Sequence, residues 1–219
     1  MSVERIAASV LIFHLLLFGC KTPSPNSEEE NISTDSISNT QTNKTILSTY
    51  QIADAFDFPV GPPDAKGYYN AQPFGENLHL GDDWNAVTGG NTDLGDPIFS
   101  IANGRVSLAQ DMGVGWGNVI RIVHYLPNGK SYESLYAHCD SMRVSEGAWV
   151  KRGEQIGTIG NANGLYLAHL HLEIRNQLDM DIGGGYAADT RGYVDPTQFI
   201  NSYRKTLSRS QDDTLQHEE

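Results

Sequence analysis

The chain has 219 residues, room for one domain of ordinary size plus extensions and too few for two. Its 15 Lys and Arg against 27 Asp and Glu give a formal charge of −12, which argues against a nucleic-acid binder, whose footprint is basic. With 39% hydrophobic residues the composition suits a soluble domain better than a polytopic membrane protein, and 22 glycines against an average near ~7% imply many turns.

The chain opens on an apolar run from Ile6 to Phe18, too short for a bilayer span of about 20 residues, and it reads as a signal-peptide core. The run ends Leu17-Phe18-Gly19-Cys20, which resembles a bacterial lipobox, with Cys20 as the lipidated residue and Phe18 a bulky departure from the usual pattern. An uncleaved anchor and an ordinary small-x-small cleavage site are the alternatives, and no small-x-small pair sits near Gly19. In Lys21 to Ser48, 15 of 28 residues are Ser, Thr or Asn, so the segment cannot offset its ordering entropy and is expected to be a linker. A flexible chain of that length reaches roughly 30 Å. Ser208 to Glu219 carries four acidic residues against Arg209 and reads as a solvated tail. The expected organisation is a lipoprotein signal peptide over 1–19, lipidated Cys20 and linker over 20–48, a folded domain over 49–207 and an acidic tail over 208–219. Of the net charge, −2 lies in the linker and −3 in the tail, leaving −7 on the domain. With Cys20 taken by lipid, Cys139 has no intrachain disulfide partner.

Between Gln51 and Asn201 no long stretch repeats apolar residues at helical spacing, whereas short β-branched and aromatic runs recur between turn residues. The expected fold is all-β: a compact antiparallel sandwich or barrel-like domain. Pro97 to Ile101 and Val106 to Ala109 flank Asn103-Gly104, a hairpin signal. Asn118 to Tyr125 and Ser131 to His138 flank Pro127-Asn128-Gly129, a second hairpin, and Gln155 to Ile159 and Ala168 to Ile174 are further strands.

In the last of these strands His169, His171 and Glu173 share one face, and Leu170, Leu172 and Ile174 the other. Upstream, Leu78-His79-Leu80-Gly81-Asp82-Asp83 places His79 and Asp83 four apart on one face, with Asp82 competing as a ligand. Two ligands from this segment and one from the His-x-His strand make three nitrogen and oxygen donors with a fourth position for water, the composition of a catalytic zinc site. Tyr136-Ala137-His138 adds an imidazole at a strand end. His124 reads as structural, Cys139 as a small buried residue, Gly113 to Gly117 as a tight turn, and Gly183-Gly-Gly-Tyr186 as a cleft rim or a plain loop.

Taken in order, His-x-x-x-Asp, Tyr-Ala-His and His-x-His resemble the lysostaphin and LytM-type zinc metalloendopeptidases, which cut peptides of bacterial cell walls. The blocks from Gly95 to Val106, Gly115 to His124 and Val150 to Gly160 are similar to that family's, so the resemblance spans His79 to Arg175. It implies a peptidase domain with long cleft-forming loops, zinc as cofactor, His79, Asp83 and His171 as its ligands, and His138 and His169 as the catalytic pair, with their division of labour open. Leu167-Ala168 stand where Gly-Pro is frequent, which bears on substrate preference. The implied substrate and partner is peptidoglycan. The expected location is the cell envelope, lipid-anchored to a bacterial membrane and facing the periplasm, the outer membrane taken first. The alternative is a catalytically inactive module of the same fold that binds cell wall or activates another hydrolase. Such members usually lose metal or catalytic histidines, and all five positions are filled here.

Overall fold

The computed structural model of the chain describes residues 52–204; the expected signal segment, Cys20, linker and acidic tail lie outside them. Among the described residues no helix is long and apolar enough to cross a membrane.

The spine is the hairpin of β5 (Asn118–Tyr125) and β6 (Ser131–Cys139), which turns at Asn128-Gly129 as expected, with Gly129 at φ 80. β4 (Gly104–Asp111) pairs with β5, and β10 (Leu170–Arg175) with β6. With β1 (Tyr68–Gln72), β2 (Asp82–Ala86) and β8 (Trp149–Val150) the order is β1-β2-β10-β6-β5-β4-β8, antiparallel throughout, and β11 (Tyr193–Val194) pairs with the end of β10. The path ends at β1 and β8, so the sheet does not close into a barrel. A smaller sheet of β3 (Pro97–Phe99), β9 (Gln155–Thr158) and β7 (Ser141–Met142), ordered β3-β9-β7, packs on one face and makes the fold a sandwich.

Between the sheets lies the main core, where Ile120, Ile122, Tyr136, Leu170, Leu172 and Ile174 of the large sheet meet Ile98, Ile156 and Ile159. Burying such a side chain contributes about 1.5–3 kcal/mol. The opposite face buries a smaller cluster of Val119, Leu135 and Ala137 under Trp116, Met112 and Ile182. Both faces of the central strands are thereby covered, and β10 is buried along its whole length. The alternation read from the sequence still decides direction: Leu170, Leu172 and Ile174 face the main core, leaving His171 and Glu173 to the second face.

One expectation is corrected. Asn103-Gly104 does not join a hairpin, because β3 pairs with β9 in the small sheet whereas β4 pairs with β5 and β8. Gly104 is there for close approach: a Cβ would lie 2.6 Å from Ile122 Cγ2 and 2.7 Å from the Val123 carbonyl oxygen. The all-β reading holds, with one short α-helix among the described residues, α1, over 196–204. Pro196 occupies its first turn, and Asp195 caps it by accepting the Gln198 N–H at 2.9 Å. Its apolar side chains, Phe199, Ile200 and Tyr203, pack on the core, with Phe199 and Phe56 edge to face at 4.9 Å.

Candidate active site

Asp83 and His171 are cross-strand partners of β2 and β10, so their side chains leave the sheet side by side, His171 Nδ1 to Asp83 Oδ1 2.9 Å. His79 follows a single turn of 3-10 helix over Glu76–Leu78 and directs Nε2 to the same point, 3.4 Å from Asp83 Oδ1 and 3.0 Å from His171 Nδ1. All three donors lie within 4.8 Å of one another. Gly81 lets the strands meet, since a Cβ there would sit 2.4 Å from the Leu172 carbonyl oxygen and 2.9 Å from the His171 ring. The pleat decides between the adjacent aspartates. Asp82 points to the opposite face, where its carboxylate accepts hydrogen bonds from the Phe74 N–H and the Thr197 hydroxyl.

The outward nitrogens of the His79 and His171 imidazoles are satisfied. His79 Nδ1–H donates to the Gln72 carbonyl at 3.1 Å, and His171 Nε2–H donates to the Glu173 carboxylate at 3.2 Å. Three acceptor atoms, two imidazole nitrogens and a carboxylate oxygen, are left facing one another, an arrangement that asks for a cation. Donors around a tetrahedral zinc at about 2.0–2.1 Å are separated by roughly 3.3 Å, close to the spacing here. The electrostatics carry the same demand. Burial opposes charge on His171, yet the hydrogen bonds to Asp83 and Glu173 raise its pKa to about 9. Burial raises the Asp83 pKa, but hydrogen bonds to His171 and His79 outweigh it and hold the carboxyl well below the usual carboxylate range.

His138 and His169 stand beside this group, their rings 4.7 Å apart, with His169 Nε2 3.8 Å from Asp83 Oδ1. Regular alternation along β6 would send His138 toward the main core, after Tyr136 in the core and Ala137 on the other face. The register against β5 shifts between Asn118 and Ile120, so that Val119 faces two residues, Ala137 and His138. This β-bulge, with His138 at φ 61, turns its imidazole into the cleft and leaves Cys139 in the core. His138 Nδ1 donates to the Trp116 carbonyl at 3.2 Å, and His169 Nδ1 to that of Leu167 at 2.8 Å. Burial, reinforced by neighbouring His169 and His171, lowers the His138 pKa to about 3.

Asp83, His138, His169 and His171 line a cavity of about 710 Å³ with Trp116, Tyr166, Tyr186 and Gly183 to Gly185, and His79 reaches it through His171. A family model described as peptidase family M23 matches residues 79–183, the span that holds all five. Lipoprotein NlpD of Yersinia enterocolitica is 44% identical over 81 residues, 37% of this chain and 78% of that protein. The chain belongs to peptidase family M23. Murein hydrolase activator NlpD of Escherichia coli K12 is 40% identical over 96 residues, 41% of this chain and only 24% of that protein. Among solved structures, a chain of the SpoIIQ–SpoIIIAH pore-forming complex shares the fold at TM-score 0.50 and 19% identity, covering 68% of this chain and 92% of that one.

The M23 cleft also holds Gly183 to Tyr186, which the sequence offers as a cleft rim or a plain loop, and two aromatics that the sequence does not single out, Trp116 and Tyr166. Tyr186 lies 5.0 Å from the His79 ring and donates its hydroxyl to Gln72 Oε1 at 3.1 Å. Tyr166 lies 5.2 Å from His138 and 5.9 Å from His169. Trp116 stacks on His138 and donates its indole N–H to the Gly183 carbonyl, so the tight turn of 113–117 and the glycine run form adjoining parts of the cleft wall. For Trp116, half-buried in the wall, the one signal in the sequence is an aromatic set among glycines. His124 is structural as expected, between the Asn103 carbonyl and Ser134 Oγ.

Proposed function

We propose that the chain is a zinc-dependent endopeptidase that hydrolyses amide bonds in the stem peptides or cross-bridges of peptidoglycan. The observation that carries this reading is the meeting in one cleft of a three-donor set and two further imidazoles. His79 Nε2, Asp83 Oδ1 and His171 Nδ1 would hold the ion, which when bound supplies a water of pKa near ~7 and polarises a carbonyl. His138 and His169 each spend Nδ1–H on a backbone carbonyl, which leaves Nε2 as the atom that takes up or returns a proton. One accepts the proton of the attacking water, and the other donates to the oxyanion or the departing amine. Cleavage of the sugar chain is disfavoured because a glycosidase uses two carboxyl groups, and among the described residues Asp83 is the one carboxylate lining the cavity.

In this reading Cys20 carries the lipid anchor, 20–48 is the tether, and the domain works from an envelope membrane; the name of the Yersinia relative supports the anchor. A second reading, an activator of another wall hydrolase, is favoured by the name of the Escherichia relative. Incubating the full chain with purified sacculi separates them. The endopeptidase releases new amino groups without new reducing ends, and a chelator stops it. New reducing ends overturn the peptidase reading, and zinc bound without product across several wall types favours the activator.

A further inference from the structure

The face of β10 that carries His171 continues with Glu173 and Arg175, both fully buried, and the two form an ion pair at 2.6 Å. Glu173 divides its carboxylate: Oε1 accepts from His171 Nε2, and Oε2 from Arg175 Nε at 2.8 Å. Arg175 divides its guanidinium in turn. Nη1 donates to the carbonyls of Met180 and Asp181, and Nη2 to that of Ile182 at 2.9 Å. The Tyr193 ring lies 5.2 Å from its carbon and covers it. Ile182 leads directly into Gly183 to Tyr186, the cleft wall, which is tied down by Leu80 N–H to the Gly185 carbonyl and Ala187 N–H to the Leu78 carbonyl, each at 2.9 Å.

We propose that Arg175 is a positioning residue that couples the 180–186 wall of the cleft to the imidazole of His171 through Glu173. Burying an arginine is costly unless its donors are used, and here they are spent on one carboxylate and three consecutive carbonyls of a segment with no strand of its own. The guanidinium fork holds both ends at once; a single ammonium cannot. A shift of the wall as a peptide enters therefore reaches His171 Nδ1, and tightening at His171 reaches the wall. The reading of His171 as a metal ligand, on which the functional meaning of this coupling rests, is that of the preceding section.

Two variants of the full chain test it, each from the end remote from its effect. Glu173→Gln keeps the side-chain shape and makes no hydrogen bond to the wall, yet exchange of the Leu80 and Ala187 amides with deuterium should rise at least about tenfold. Arg175→Lys keeps a charge for Glu173, yet the ring-nitrogen NMR signals of His171 should move from their wild-type positions. Adding zinc to the wild type should slow exchange at both amides, and in Arg175→Lys it should not. Wall exchange at the wild-type rate in Glu173→Gln overturns the coupling, as do unmoved His171 signals in Arg175→Lys with a loosened wall, which would make Arg175 a loop anchor alone. If Glu173→Gln fails to fold, Arg175→Lys decides on both readouts. A wild-type chain that binds no zinc sinks the peptidase reading and leaves the metal-free measurements to judge the coupling.

Discussion

Asp83 and Asp82 are the same residue type one position apart, and the strand pleat gives them opposite fates. That half of the site was open in the sequence, which offered both as ligands; only pairing with His171 chooses. His138 was legible as an imidazole near the cleft through the family resemblance but not through its strand, because alternation sends it to the core and the bulge that redirects it has no residue-level signature. The two groups of histidines should separate on substitution. Ala at His79, Asp83 or His171 removes one of three donors and should abolish stoichiometric zinc, measured on the dialysed protein. Ala at His138 or His169 should leave zinc in place and lower turnover on sacculi by about 10²–10⁴-fold, the usual worth of a general acid or base. If His169→Ala empties the site and His171→Ala leaves it filled, the assignment along β10 is reversed.

At the scale of elements, the β5–β6 hairpin and the facing of β10 follow from turn chemistry and alternation, both local rules. The errors came where partners are distant in sequence. Asn103-Gly104 has the local signature of a hairpin, yet the chain crosses there from the small sheet to the large one, and the glycine serves strand approach. Gly104→Ala should therefore destabilise by about 1–3 kcal/mol in urea unfolding, since the added methyl meets the Val123 backbone as well as side chains. A change within experimental scatter would mean that the strands separate freely. Helix α1 carries its own signals, Asp195 then Pro196, but is too short for its apolar period to stand out. Asp195→Ala should cost about 1 kcal/mol by removing the acceptor for the Gln198 N–H, with Asp195→Asn recovering most of it.

At the scale of the whole molecule, the sandwich closes around a buried imidazole outside the cleft. His124 sits where β5 meets the entry to β4, its Nδ1–H on the Asn103 carbonyl at 2.9 Å, its Nε2 accepting from Ser134 Oγ on β6, and its ring edge to Phe56. Burial lowers its pKa to about 4, against the opposing hydrogen bond to Asn103. The unfolded chain protonates this residue near ~6.5, so the folded state holds it neutral where the unfolded state would charge it. Its contribution is therefore complete above about pH 6.5 and is lost as pH falls through about 4, and the gap between the two values corresponds to about 3 kcal/mol. His138, its pKa lowered by burial, loses stability in the same window with the same sign, whereas His171, its pKa raised to about 9, changes above that window, so the measurable quantity is a difference between proteins. His124→Asn removes the titration and shares the other groups. The stability advantage of the wild type over His124→Asn, from denaturant unfolding, should shrink by about 3 kcal/mol between pH 7 and pH 4. An advantage constant across that range would show that water or a local opening reaches His124 and that the sandwich is not sealed at the β4–β5 end.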